Sequence, residues 1–510
     1  MNNFLKYILA FLLIAFVACE KPDTESSQAA DQQKQEQVAP GDSDKNDNTG
    51  DVSGEPNTST ENNNGENPGE EKQDDNPSNP EQDEDPNTQN ENNPEDQPGN
   101  PGNPSDPNPG SPEEPSDYTF LSSGAPSSLS DAEKGKLAAL NGFAFRFASL
   151  ADKKAAQSSF VVSPTSLIYL LGLLSEGAAG STRSEILDML GFSGDQQALN
   201  EFCRNLIVLS RASASKEESL EIANALVLNK DFQLLESYRE TVKNYYDAYS
   251  CNKDFSQENV AEYINSWAFR HTHERITKVL DDVPSSTMAI LMNALYFKAR
   301  WALAFDDYFT KEEKFTTASG VTRKEQMMHR KDLYNKILFA DGADYKAVRL
   351  AYGDPWRESA GNYAMTVILP SEGIGSEEFL SGLSGSKWAE MQASFSGEYV
   401  DLKLPRFEAD FDETLNEILN TLGAETMFNT ADFSNMSEKP VYVDMIKQVA
   451  NITVNEVGTE AAAVSVATME GASPGTPETP RFVEFYANRP FIFAITEQST
   501  GAILFLGCYR

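Results

Sequence analysis

Between 130 and 150 apolar residues recur at spacings of three and four, at Leu137, Leu140, Phe143, Phe147 and Leu150, which predicts an amphipathic helix capped by Ser130 or Asp131. A short β-like run at 159–163 then meets Pro164, placed for the first position of a second helix. That helix continues through Leu167, Leu170, Leu171 and Leu174 to a break at Gly177 and Gly180. Thr182 with Glu185 reads as the capping box of a third helix, stopped by Gly191. The pattern predicts further helices at 196–211, 233–247 and 258–270. Strands are predicted at 220–228, 288–298, 345–351, 363–369, 398–404, 441–454, 482–486, 491–496 and 502–508. Helices first and strands later imply an α+β fold, with helices packed around a large sheet.

One stretch, 456–489, departs from this regularity. From 459 to 469 there is no Gly or Pro and one charge, Glu460. Every second residue is small or unbranched (Thr459, Ala461, Ala463, Ser465, Ala467, Met469), and the other face carries Val464, Val466 and Thr468. This is a strand-competent segment whose small face could enter a packed sheet. Just beyond, Gly471, Ser473, Pro474, Pro477 and Pro480 mark an exposed loop, so the strand has no turn to pair it.

Composition divides the chain more sharply than periodicity does. Residues 20–117 hold 27 Asp and Glu against 4 Lys and no Arg, and so carry 23 of the 38 net negative charges. With almost no aliphatic or aromatic residues, they cannot offset the entropy of ordering and are expected to be a disordered tether. As a flexible coil such a tether reaches on the order of 50–60 Å. Ahead of it lies an apolar run, 7–18, preceded by Lys6 and followed by Cys19. The run is too short for a permanent membrane helix and reads as a signal peptide, 1–18. Its Val17-Ala18-Cys19 ending resembles the lipobox of bacterial lipoproteins, which implies lipidation at Cys19 and an outer-membrane location, periplasmic or surface-exposed. The organisation expected is therefore leader 1–18, tether 19–117 and a folded body 118–510. Cys203, Cys251 and Cys508 are an odd set without metal spacing and read as buried thiols, with one disulfide left open.

Catalytic patterns are missing. Gly191-Phe192-Ser193-Gly194 has the wrong spacing for a nucleophile elbow, and no phosphate loop or dinucleotide fingerprint occurs. His271 and His273, placed by the pattern in one helix, would face different ways, so no shared metal is expected. Arg204, Arg211 and Lys216 are too sparse for a polyanion site, and no basic block points to nucleic acid.

The motifs then accumulate toward one family. Ser163-Pro164-x-Ser166 is followed by Gly177-Ala178-x-Gly180-x-Thr182, then Asn293-Ala294-Leu295-Tyr296-Phe297-Lys298-x-x-Trp301 with Phe305, Phe315 and Met327-Met328-His329. Later come Leu404-Pro405-Arg406-Phe407, Leu422-Gly423, Ala431-Asp432-Phe433-Ser434, the 456–463 run, Asn488-Arg489-Pro490-Phe491 and Leu506-Gly507. In this order the chain from about 130 to 510 resembles a serpin. The resemblance implies helices around a large mixed sheet plus smaller sheets, with an exposed reactive-centre loop. It also implies a protein that is not an enzyme and has no cofactor or metal. Its partner would be a target protease, and it would act as a monomer.

An inhibitory serpin offers its loop to a serine protease, or to a cysteine protease. After the acyl-enzyme forms, the cut loop inserts into the main sheet and carries the enzyme away. The resemblance places the loop hinge at Glu456, Gly458, Thr459, Glu460, Ala461, Ala462 and Ala463. It places the shutter at Ser163, Ser166 and Asn293, and the breach at Trp301. Gln448 stands where most members have a shutter His, and Ser159 where an Asn is usual. Counting from Glu456 puts the reactive bond at Ala472–Ser473, with Met469–Glu470 and Gly471–Ala472 as competing bonds. A small residue before the cut suits an elastase-like pocket. The alternative is a non-inhibitory serpin acting as a surface binding protein. The small, uncharged inner face of the hinge argues for inhibition.

Overall fold

The computed structural model describes residues 8–18, 121, 128–212, 218–353, 362–459 and 480–510. The tether, Cys19, Glu460, Ala461, Ala462, Ala463 and the Ala472–Ser473 bond lie outside the described residues. The chain divides into two units, of which 22–113 lies wholly outside the described residues, and the other unit contains all the elements.

The first described element is a strand, β1 (Ile8–Ala18), formed by the apolar run that reads as a leader. Helix α1 (Asp131–Ala155) follows, opened by a full capping box in which Ser130 and Glu133 each accept the other's backbone N–H. Strand β2 (Phe160–Val162) leads into α2 (Pro164–Gly177), with Pro164 at its start and the Ser163 hydroxyl as its cap. Helices α3 (Gly180–Leu190) and α4 (Gln196–Ala212) come next, α3 ending on Gly191 in the left-handed region. The chain continues through β3 (Glu218–Asn229), α5 (Glu236–Tyr246), β4 (Ala248–Lys253), α6 (Val260–His271) and β5 (Thr287–Arg300). Next are β6 (Lys311–Thr316), β7 (Thr322–Lys331), β8 (Ile337–Asp341), β9 (Tyr345–Ala351) and β10 (Tyr363–Pro370). After α7 (Ser376–Ser381) and α8 (Gly385–Ser394) come β11 (Ser396–Glu398), β12 (Val400–Pro405) and β13 (Phe407–Thr414). Helices α9 (Asn416–Leu422) and α10 (Thr426–Asn429) precede β14 (Val441–Val454), β15 (Gly458–Thr459), β16 (Val483–Tyr486), β17 (Phe491–Glu497) and β18 (Ile503–Tyr509).

Among the described residues three sheets result. The largest runs β13-β14-β1-β5-β3-β4, with β15 added to the end of β5; the others run β11-β8-β9-β10-β17-β18-β2 and β16-β12-β7-β6. In the large sheet β3 pairs parallel with β4 and antiparallel with β5, so the expected mixed α+β architecture is present. The inner face of this sheet meets α2 and the second sheet in the main core, which includes Leu12, Phe16, Leu167, Leu291 and Phe505. Its outer face is covered by α6, where Ile264 and Trp267 pack with Leu13, Ile290 and Met292 in a separate apolar cluster.

Two local expectations are corrected. Thr182 and Glu185 do not cap α3, whose N-cap residue Ala179 makes no side-chain capping bond. The Thr182 hydroxyl accepts from Asp432 N, and the Glu185 carboxylate accepts from the backbone N–H groups of Glu425 and Thr426. The pattern is spent on joining α3 to the segment around α10. Nor do the two histidines share a helix. His271 is the last residue of α6, its ring tilted against Trp267 at 4.3 Å, whereas His273 lies beyond it with φ of 48°. The His273 ring lies on Tyr296 at 4.1 Å, with Nε2 3.0 Å from Glu221.

Candidate functional site

The site is a slot between β5 and β14, with a polar cluster beneath it and a clamped hinge at one end. β1 lies in the slot, antiparallel to both neighbours. Leu12 stands opposite Gln448 on β14 and Asn293 on β5. Paired residues in a sheet point to the same face, so these two amides are turned inward beside Leu12, toward the start of α2.

There the Gln448 side chain grips the backbone of Ser163 from both sides. Its Oε1 accepts from Ser163 N and its Nε2 donates to Ser163 O, each at 3.1 Å. The Ser163 hydroxyl donates to Leu504 O at 2.9 Å while accepting from Ser166 N as the helix cap. Ser166 Oγ donates to Asn293 Oδ1, Asn293 Nδ2 donates to Asn224 Oδ1 at 2.8 Å, and Asn224 Nδ2 donates to Tyr246 O at 2.7 Å. Ser163, Ser166, Asn293 and Gln448 are fully buried. The chain of bonds therefore ties β14 to α2, to β5 and on to β3 without water, and in such a setting each partner is hard to lose. It brings together the four shutter residues expected from sequence. Asn224 was missed, although a lone Asn inside the apolar 220–228 run was a signal.

The hinge is held as firmly. Glu456, 7% exposed at its side chain, takes a two-pronged grip from Arg406, whose Nε lies 2.7 and 2.8 Å from its carboxylate oxygens. The Thr310 hydroxyl donates to the same carboxylate. Trp301 binds the turn through its backbone N–H to Val457 O and its indole N–H to Asn455 O, both at 2.9 Å. Its ring stacks on Tyr352 at 4.4 Å. Asn455 Oδ1 accepts from Val457 N and Gly458 N, closing the turn. Gly458 has φ of 149°, and a Cβ there would sit 2.4 Å from Ala299 O, so only glycine fits against β5. Gly458 and Thr459 then pair with Arg300 and Ala299, and buried Thr459 shares a 2.8 Å hydrogen bond with the Tyr352 hydroxyl. Trp301, the residue the resemblance places at the breach, thus lies against the 455–459 turn. Arg406, Thr310, Tyr352 and Asn455 were not singled out from sequence, although Arg406 sits inside the Leu404-Pro405-Arg406-Phe407 motif.

Ser159, the other departure noted in the sequence, lies away from the slot. Its hydroxyl accepts from Arg510 N at 3.0 Å, and Arg510 forms a buried ion pair with Asp152. Cys203, Cys251 and Cys508 are buried and form no disulfide, and burial pushes the Cys508 thiol up to about 11.

Residues 138–510 match the family described as Serpin (serine protease inhibitor). The chain belongs to the serpin family. Serpin B4 of Homo sapiens is 30% identical over 383 residues, covering 70% of this chain and 94% of the relative. Serpin-Z1C of Triticum aestivum is 32% identical over 386 residues, covering 72% and 93%. Among solved structures, native Tengpin, a thermophilic serpin, superposes with a TM-score of 0.65 at 23% identity over 75% of this chain and 94% of its own. Human thyroxine-binding globulin gives 0.64 at 25% identity over 74% of this chain and 98% of its own. The family's general work is inhibition of proteases, not catalysis. In this serpin β1 lies between β5 and β14, and the Gly458–Thr459 strand joins the end of β5.

Proposed function

We propose that this serpin is a suicide-substrate inhibitor of elastase-like serine proteases, cut at Ala472–Ser473 and trapping the acyl-enzyme by inserting the cut loop. The observation that carries this reading is the hinge register. Gly458 and Thr459 are already zipped onto Arg300 and Ala299, at the head of the slot between β5 and β14. Carried on in the same register, Ala461 would meet Phe297, Ala463 Leu295, Ser465 Asn293 and Ala467 Leu291. Those are the β5 residues that now face Ile8, Ala10, Leu12 and Ile14. The small face of the loop would turn inward and place the Ser465 hydroxyl beside the Gln448 and Asn293 amides, where a hydroxyl can both donate and accept. Val464 and Val466 would turn outward under α6, into the apolar cluster around Trp267 and Ile264. Insertion of about 14 residues at roughly 3.3 Å each carries the severed end some 45 Å. The lipobox-like Val17-Ala18-Cys19 supports anchoring of the mature protein in a bacterial cell envelope through lipid on Cys19.

The test is incubation with pancreatic elastase. A covalent complex that survives boiling in detergent is expected, with release of a C-terminal peptide beginning at Ser473 by mass spectrometry. Clean cleavage without complex would favour the non-inhibitory, binding-protein reading.

A further inference from the structure

The geometry points to a second claimant for the slot: we propose that the leader strand β1, while it remains attached, occupies the insertion slot, so that a chain which folds before losing its leader is locked out of protease trapping. The consequence for trapping rests on the inhibitory reading above; the docking does not.

The leader copies the register the loop would need. Thr459 pairs with Ala299 and Ile8 pairs with Phe297, so only Lys298 separates the end of the hinge from the start of the leader on β5. From Ile8 to Phe16 the leader then follows β5 without a shift, and its only irregularity against β5 falls between Phe16 and Val17. On the other side it pairs with β14 from Leu9 to Ala18. Backbone groups of both flanking strands are satisfied by it along most of their length. Leu12, Leu13 and Phe16 are fully buried, and the Phe16 ring meets Phe433 edge-on at 5.2 Å.

Two physical differences favour the leader over the loop in an unprocessed chain. The intact loop is held at both ends, at β15 and at β16, and cannot run down the slot while β16 stays paired with β12. The leader reaches the body through the long 19–117 segment, and enters with no covalent change. It also brings Leu12 and Phe16 to positions where the loop would bring Ser465 and Met469, and so buries more apolar surface. Once the sheet has closed on β1, hydrolysis of the loop leaves the new end with no slot. Deacylation then proceeds, and the chain behaves as a substrate. A chain that folds after its leader is gone keeps the slot for the loop.

The experiment uses the full chain with a specific protease site placed in the 22–113 tether, folded before it is cut. After cutting, native gel filtration and mass spectrometry track the leader fragment. Retention of the fragment with the body is expected for the unsubstituted chain, and its loss for Leu12→Asp with Phe16→Asp. Separation of the unsubstituted fragment would overturn the proposal, and this arm needs no variant to fold. In parallel, each uncut chain meets elastase. At least a tenfold larger fraction of detergent-stable complex is expected from the substituted chain. Equal complex from both chains would overturn the lock. Retention of the leader with no complex from any chain, the leaderless one included, would instead refute the inhibitory reading and leave the docking standing.

Discussion

Removing the Gln448 side chain tests the shutter most directly. In Gln448→Ala the Ser163 N–H loses its acceptor in a fully buried site, whereas Ser163 O keeps a bond from Leu167 N at 3.3 Å. An orphaned buried donor costs about 1–3 kcal/mol, and the lost methylene adds about 1 kcal/mol. For a body of roughly 390 residues the unfolding entropy is about 0.8 kcal/mol per degree, so a loss of about 3 kcal/mol lowers Tm by about 4 °C. Gln448→His separates hydrogen bonding from charge. A neutral imidazole can accept from Ser163 N and donate to Ser163 O, but an imidazolium can only donate. Burial and the required acceptor both favour the neutral ring, so its folded pKa falls below the unfolded value of about 6.5. Stability is then complete above about pH 6.5 and is lost as pH falls toward the folded pKa, by up to about 1.4 kcal/mol per pH unit. Against the native protein, the gap in Tm should widen by about 2–3 °C between pH 7.5 and pH 5. The assay is thermal melting monitored by circular dichroism at one fixed scan rate, because large bodies of this kind unfold irreversibly. A Gln448→Ala protein melting within 1 °C of native, or a Gln448→His gap that ignores pH, would refute the reasoning.

The clamps lead to two further outcomes. Arg406→Met strands the buried Glu456 carboxylate, but Arg406 is 45% exposed, so solvent screening holds the loss to about 1–2 kcal/mol, or 1–3 °C in Tm. Adding Glu456→Gln should recover more than half of it, and a strictly additive double-mutant cycle would show that the pair is not coupled. On β12 burial works to raise the Asp401 carboxyl, yet hydrogen bonds from Lys331 and His329 outweigh it and hold the carboxyl below its usual range. A depressed folded pKa stabilises above about 3.9, and the contribution is lost as pH falls through the folded value. Asp401→Asn should therefore melt about 1–3 °C below native at pH 7, with the gap closing toward pH 3. A gap that persists unchanged in acid would argue against the ion pair.

Elements whose burial follows one simple period were legible in the sequence. The strands at 345–351 and 441–454 have their predicted limits, and the Ser130, Pro164 and Gly191 punctuation stands where local chemistry required it. β6 and β7 escaped notice because charged residues fall on both faces of these strands, at Lys311, Glu312, Lys314, Arg323, Lys324 and Glu325, and break the alternation that signals a strand. β13 was readable, since Phe407, Ala409 and Phe411 alternate with Glu408, Asp410 and Asp412, but its pattern is short and acidic. The serpin resemblance supplied the shutter and hinge residues by position, without their bonds.

What the sequence determined by itself was the set of parts: an apolar run at 7–18, an acidic stretch at 20–117, and a segment from 459 with one small face. Each is a local property, set by side-chain size and charge along a few residues. Tertiary structure alone decided the pairings across long stretches of chain. Gln448 grips Ser163 from 285 residues away, and Arg406 clamps Glu456. Thr182 and Glu185, which look like a cap, are drawn off to the segment around α10. The same holds for the slot. Hydrophobicity makes 8–18 read as a leader, but only the open hydrogen-bonding edges of β5 and β14, brought side by side by the fold, make it a strand in the place the loop would need.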